Sequence, residues 1–449
     1  MSHAQDTSIS HRRVWALSGP IMLSNVSVPL VGAVDTAVVG RLPEPQAIGA
    51  VALGALIFSF LYWGFGFLRM GTTGFVARAH GARDQQALYD TLLRVFLLAF
   101  GFGFLTILLS QPLIGLSLHL LDSSAEIEQL TRDYAEIRIW SAPATLCIYV
   151  FTGVFIGMQK TARAFALQLI LNISNVALDF LFVIGFEMGV EGVAFATLIA
   201  EYLAAICGFI LLRGPLASAL QKIDWQRLLE RSALLELMRA NGNIFIRTLC
   251  LVFAFAYFMA QSAKMGDVVL AANAILLHLQ SIMAYGLDGF AHAAEALTGS
   301  AYGAGKRREF SRAVTLTSLW ACFIAALVGL GYMFFGKSIL GLFTNIDAVI
   351  DAASAYLPWM IISPLISVWS FQLDGIFIGV GYTREMRNAM LLSMGMYLVV
   401  ITWLVPYWGN HGLFLALSLF MVFRAITLGF YYPRILAGME SGYVKTLRR

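Results

Sequence analysis

Asn175 and Asp179 stand four residues apart, as do Thr197 and Glu201, a spacing that stacks side chains on one face of a helix. Asn172 lies near the first of these faces. Both pairs sit in long apolar runs, and Asp35 is a third acid in the first such run. An ionisable group at the centre of a helix in hydrocarbon costs at least about 2.5–3.5 kcal/mol, so these residues carry the information. Carboxylate, amide and hydroxyl oxygens together suit a proton or a small cation. Asp35 and Asp179, if close, would share protons and titrate as a coupled pair. A second reading makes Asp35 an interfacial residue paired with Arg41. The first half offers no embedded base: Arg69, Arg94 and Arg138 fall near the ends of apolar runs, where a long side chain reaches water.

The second half differs. Its embedded charges are Arg247, Asp288, Glu295, Asp374 and Arg424, two bases against three acids. They can pair among themselves as a structural network or line a cavity. His278 and His292 share a run with Asp288 and Glu295 and read as hydrogen-bonded packing residues. The four cysteines (Cys147, Cys207, Cys250, Cys322) are far apart in apolar surroundings, with no metal-ligand spacing. No metal centre is expected, although a sodium ion would suit the Asp35 cluster. Metalloprotease, nucleophile-elbow and phosphate-loop motifs are absent, so neither an enzyme nor a cofactor is expected.

The elements that hold these residues follow from composition. The chain has 449 residues, 59% hydrophobic and 12% charged, against roughly 25% charged in soluble domains. Mean hydropathy is +0.77. That excludes an ordinary soluble enzyme, a disordered chain and a small secreted scaffold. The apolar runs are too long and continuous for an outer-membrane barrel. Twelve windows emerge, at about 14–38, 47–70, 90–116, 135–158, 164–186, 190–213, 234–262, 268–298, 311–334, 354–380, 387–408 and 412–433, each near the roughly 20 residues of a membrane span. With the N-terminus placed in the cytoplasm, 21 of the 30 Lys and Arg fall in inside segments and 4 in outside loops. That bias supports twelve spans with both termini cytoplasmic. The first span has no cleavage site and reads as retained. The net charge of +4 reflects this loop bias and gives no reason to expect a nucleic-acid partner.

A shift of 222 positions aligns Gly153-x-Phe155-Ile156-Gly157 with Gly375-x-Phe377-Ile378-Gly379. It also aligns Gly81-Ala82 with Gly303-Ala304, Gly64 with Gly286, Tyr134 with Tyr356 and Thr161 with Thr383. Six spans per half give both halves the same orientation. The expected fold is an all-α polytopic membrane protein of two parallel, pseudo-symmetric six-helix lobes. Residues 1–213 form the first lobe, 214–233 a cytoplasmic linker with an amphipathic helix, and 234–449 the second lobe. Parallel repeats of this kind occur in transporters, whose substrate sites lie between the repeats. No extramembrane segment can house a nucleotide-binding domain, so any work must draw on an ion gradient. Span 1 carries Pro20 and Pro29, which remove backbone hydrogen bonds and bend a helix.

Over essentially its whole length the chain resembles the multidrug and toxic compound extrusion (MATE) transporters, in their DinF-like branch. The resemblance rests on the twelve spans, the parallel repeat, the segment Pro29-Leu-Val-Gly-Ala-Val-Asp35-Thr-Ala-Val-Val-Gly40 and the two Gly-x-Phe-Ile-Gly elements. It implies that Asp35, Tyr134, Asn175, Asp179 and Thr197 form a cation-coupling site in the first lobe, with span 1 bending at Pro20. It implies antiport, in which protons or Na⁺ enter as cationic, amphipathic compounds leave. Asp374 matches an acidic position of the related NorM branch. The departure is span 7: residues 237–266 hold no acid and offer Arg247 instead, which favours coupling through the first lobe.

The expected protein is thus a proton-coupled multidrug efflux antiporter of the bacterial inner membrane, monomeric, with lipid, ions and small cationic molecules as its partners. Two rivals stand beside it. A flippase for lipid-linked sugars would need Arg247 and Arg424 to face an anion, and a membrane scaffold or sensor would transport nothing.

Overall fold

The computed structural model describes residues 9–41, 45–121 and 123–440. Lys445, Arg448 and Arg449, which contribute to the loop-charge bias, lie outside the described residues. Among the described residues every regular element is helical, and ten helical stretches are long and apolar enough to cross a membrane. The chain is an all-α polytopic membrane protein.

In chain order the helices are α1 (His11–Val39), α2 (Pro45–Gly64), α3 (Phe67–Ala82), α4 (Gln85–Leu108), α5 (Ser110–Leu121), α6 (Ala125–Arg138), α7 (Ala142–Gly157) and α8 (Thr161–Asp179). Then come α9 (Gly189–Gln221), α10 (Trp225–Leu228), α11 (Arg231–Ala263), α12 (Asp267–Gly303), α13 (Arg307–Phe343), α14 (Asp347–Val380), α15 (Thr383–Gly429) and α16 (Tyr432–Glu440). A 3₁₀ turn, Ile139–Ser141, joins α6 to α7, and a π-helical turn, Phe180–Gly185, extends α8. α15 is two helices that meet at Gly409, where φ is 52° and ψ −131°. With α15 so divided, α2 joined to α3 and α6 to α7, the twelve apolar windows each find a helix.

Two expectations need correction. The helix that carries the fourth apolar window starts well before residue 135, because the polar stretch Ala125–Arg138 is itself helical. It buries Thr131, Tyr134, Ala135 and Arg138 on one side. The linker holds no long amphipathic helix: α9 continues past Arg213 to Gln221 and leaves only the four-residue α10. Pro215 cannot donate to the Leu211 carbonyl four residues back, and Arg163 Nη1 does so instead at 3.0 Å. The helix is thereby carried through its proline.

The described residues divide into two compact units. One holds Leu23–Val76 and Asp84–Met238; the other holds the chain up to Met22, Ala77–Arg83 and everything from Arg239 onward. α1 and α3 therefore each serve both units, and the border in α1 falls two residues beyond Pro20. The first unit has a core around Phe58, Tyr134 and Val193. The core of the second is built around Phe258, Phe290, Tyr397 and Phe414.

The 222-residue offset is visible in backbone contacts inside each unit. A methyl added at Gly153 would collide with the Arg69 carbonyl, and one at Gly375 with the Ala291 carbonyl. Gly157 meets the Thr73 carbonyl in the same way, and Gly379 that of Glu295. Arg69 and Ala291 are 222 apart, as are Thr73 and Glu295. The Gly-x-Phe-Ile-Gly element is thus the place where α7 lies against α3, and α14 against α12, at backbone distance.

Candidate functional site

The first unit gathers its polar residues where α1, α6, α8 and α9 meet. Asp179 closes α8 and is completely buried; Asp35, on α1, is half-buried. Their carboxyl groups lie within hydrogen-bonding reach of each other. Neither Asp179 oxygen has a hydrogen-bond partner, and the buried Asp35 Oδ1 lacks one too. Ionised carboxylates only accept hydrogen bonds, so two facing each other hold three buried lone-pair centres and no donor. A proton or a cation between them is what the arrangement lacks. Asp179 also leads straight into the π turn, where Phe186 N donates to Leu181 O at 3.0 Å. Such turns are rare and recur at functional sites.

The surrounding amides and hydroxyls are already engaged. Asn175 Nδ2 donates to Thr197 Oγ1 at 3.3 Å, while Thr197 Oγ1 donates to Val193 O at 3.0 Å. Gln168 Nε2 donates to Asn172 Oδ1 and Asn172 Nδ2 to Ser27 Oγ, each at 2.8 Å. This chain ties α8 to α1 and α9 yet sends no donor to Asp179. Tyr134, buried on α6 against Phe58, reaches the Arg138 guanidinium and lies in the electrostatic neighbourhood of Asp35. The structure therefore brings Asp35, Asn175, Asp179, Thr197 and Tyr134 into one neighbourhood. Arg41 is exposed at the end of α1.

Sequence reasoning missed Arg138. It is buried, not at a span end, and forms a fork with Glu201: Nη2 lies 2.7 Å from Oε1 and Nη1 3.1 Å from Oε2. The expectation that the first half has no embedded base is thus overturned. Thr145 donates to Glu201 and Arg138 donates to Ser141, with Tyr62 at 3.1 Å from Ser141. The Arg138 guanidinium also sits over the rings of Phe58 and Tyr62, at 5.2 and 5.6 Å. Glu201 belongs to this closed network. The available signal was Arg138 one turn after Tyr134, on the buried face of a helix too polar for its hydropathy to reveal.

In the second unit Arg247 and Arg424 both donate to Asp374 Oδ2, the latter at 2.6 Å. Asp288 acts electrostatically on Arg424 and on Tyr285. Glu295 lies apart from this cluster, with Oε2 3.1 Å from His292 Nδ1. Among the described residues no group of three or more His, Cys, Asp or Glu side chains could hold a metal ion.

The MatE family model matches the chain twice, over residues 20–181 and 244–404. The matches start 224 positions apart (20 to 244), close to the repeat read from the glycines. DNA damage-inducible protein F of Escherichia coli (strain K12) is 39% identical over 437 residues, covering 95% of this chain and 92% of that protein. The probable multidrug resistance protein NorM of Photorhabdus laumondii subsp. laumondii is 24% identical over 446 residues, 93% of this chain and 94% of that one. In fold the chain matches the solved structure of a MOP superfamily transporter from Pyrococcus furiosus, with a TM-score of 0.85 at 20% identity over 96% of each chain.

Proposed function

This chain belongs to the MatE family, whose members are multidrug efflux transporters and not enzymes, and we propose that it exchanges protons for cationic, amphipathic compounds by alternating access. Asp35 carries the coupling proton. Asp179, Asn175, Thr197 and Tyr134 set how tightly it is held, and α1 moves about Pro20 as the proton comes and goes. The observation that carries this reading is the buried acid pair without a donor. When both carboxyls are ionised, repulsion and missing hydrogen bonds penalise the site, and one proton supplies the donor. A bound drug cation is the other charge that relieves it, so proton and drug compete.

Two further observations support the reading. Arg138, the base that acts on Asp35, has its short ion pair with Glu201, so it gives the acid pair no direct partner. The border between the two units crosses α1 next to Pro20, where the helix lacks a backbone donor. The flippase rival is less favoured, because Arg247 and Arg424 both hold Asp374 and do not face a cavity as free cations. In this reading the protein sits in a bacterial inner membrane as a monomer with both termini in the cytoplasm.

The test is drug-stimulated proton release in liposomes, read with a fluorescent cation and a pH dye. Asp35→Asn should abolish both signals. Drug export driven by a sodium gradient at constant pH would replace the proton by Na⁺, and export by Asp35→Asn at the wild-type rate would overturn the assignment.

A further inference from the structure

Glu295 is a buried carboxylate that the reading above leaves unused. It is fully inaccessible to solvent and lies eight residues before the end of α12 at Gly303, about 12 Å along the helix axis. Its Oε1 has no hydrogen-bond partner. Oε2 meets His292 Nδ1 at 3.1 Å, one turn earlier on the same helix.

The internal repeat shows what the fold itself requires here. Glu295 and Thr73 are repeat equivalents, and each presents its carbonyl to the second glycine of a Gly-x-Phe-Ile-Gly element. Thr73 is just as buried, and its hydroxyl donates to Arg69 O at 3.0 Å. A small side chain satisfied by its own helix therefore meets the packing demand. At the position of His292 the other half carries Met70. The second half thus departs from the repeat twice, one helical turn apart, and both departures introduce titratable groups. The exchange leaves a buried carboxylate oxygen without a donor, which costs stability.

We propose that Glu295 and His292 form a second proton-binding site, held within the second unit and separate from the Asp35–Asp179 pair. Glu295 accepts the proton and His292 Nδ1 shares it. Uptake converts one net negative charge in an apolar core to none and supplies the missing donor; release returns the proton to water. Several charged groups lie on the elements packed nearby. On α14, Asp374 is held by Arg247 and Arg424. On α3, Arg78 Nη1 donates to Val380 O at 3.2 Å. Arg308 and Arg312 of α13 are exposed, as are His11 and Arg12 of α1, where Arg13 is half-buried. Asp288 lies two turns back on α12 and faces the Arg424 cluster. The proposal rests on the transporter reading only for what the proton does, not for its binding.

Infrared difference spectra of the purified protein across a pH jump read protonated carboxyl groups without substrate or gradient. Glu295→Gln and Glu295→Thr should each lose one carboxyl band that Asp35→Asn retains. The threonine variant installs the residue the other half already tolerates, which guards against misfolding. His292→Met should move the same band along the pH axis. A Glu295→Thr spectrum identical to wild type, or a band that His292→Met leaves in place, overturns the site. Failure of Asp35→Asn to stop drug export would overturn the coupling assignment and leave the infrared result standing.

Discussion

Arg138 Nη2 lies 2.7 Å from Glu201 Oε1, so the base that acts on Asp35 has a close partner of its own. The guanidinium still acts on Asp35 at longer range, but its short contacts go to Glu201 and Ser141. Two polar clusters with opposite properties therefore adjoin in one unit. One is closed and saturated; the other lacks a hydrogen-bond donor.

Breaking the closed cluster from one side should be costly. Arg138→Met or Glu201→Leu alone leaves a buried charge unpaired, with an expected loss of about 3–5 kcal/mol, whereas replacing both with apolar residues is often neutral. Melting temperatures of the two single variants and the double variant in detergent check this. A double variant as unstable as the sum of the singles would contradict it.

The open cluster should behave in the reverse way. Asp179→Asn brings an amide donor to face Asp35, so thermal stability should hold or rise while proton-driven drug export falls at least tenfold. Melting curves and transport assays on the same preparation separate the two effects. A drop in stability that matches the loss of transport would mark Asp179 as merely structural.

Thr197 is expected to act through Asn175. Thr197→Val leaves the Asn175 amide without its acceptor, a loss of about 1–3 kcal/mol for a buried group, and Thr197→Ser restores it. Thermal unfolding of both variants is the measurement, and equal melting points would show that the bond is dispensable.

Pro20 should trade stability for movement. Alanine in a helix interior is favoured over proline by about 3 kcal/mol, so Pro20→Ala should raise the melting temperature while slowing export. Unchanged export would remove Pro20 from the transport cycle.

The two halves predict matched responses to the same lesion. Gly157→Ala and Gly379→Ala each push a methyl into a backbone carbonyl, and overpacking of this kind typically costs about 1–3 kcal/mol. Gly101→Ala and Gly395→Ala meet open space and should be neutral or slightly stabilising. Melting temperatures of the four variants would show whether the repeat sets the energetics as well as the shape.

Much of this architecture was legible in the residues. Hydropathy marks each span because apolar runs of that length have few other uses, and the constant offset reveals the duplication. Partnerships across helices were not legible. Asp35 and Asp179 are 144 positions apart (35 to 179), and only a resemblance placed them in one site. Arg138 stayed hidden because α6 is polar on its outer side, so its helix seemed to begin ten residues late. The passage of α9 through Pro215 depends on Arg163, a donor from another helix that no local pattern announces. In the second half the charge types were plain, yet the joining of Arg247 and Arg424 on one oxygen of Asp374 follows only from how α11, α14 and α15 fold together.

The π turn after Asp179 lets the acid pair tolerate a one-residue change in the length of this segment. A π turn contains one residue more than an α turn needs. Deleting a single residue within 180–185 would let the segment adopt ordinary α geometry. Because the wide turn accommodates its extra residue locally, the residues on either side would keep their register, and Asp179 would still face Asp35. The helix would survive, still apolar and still long enough to span. Homologues one residue shorter in this segment should therefore keep the second carboxylate, a pattern that counting residues in aligned chains can reveal.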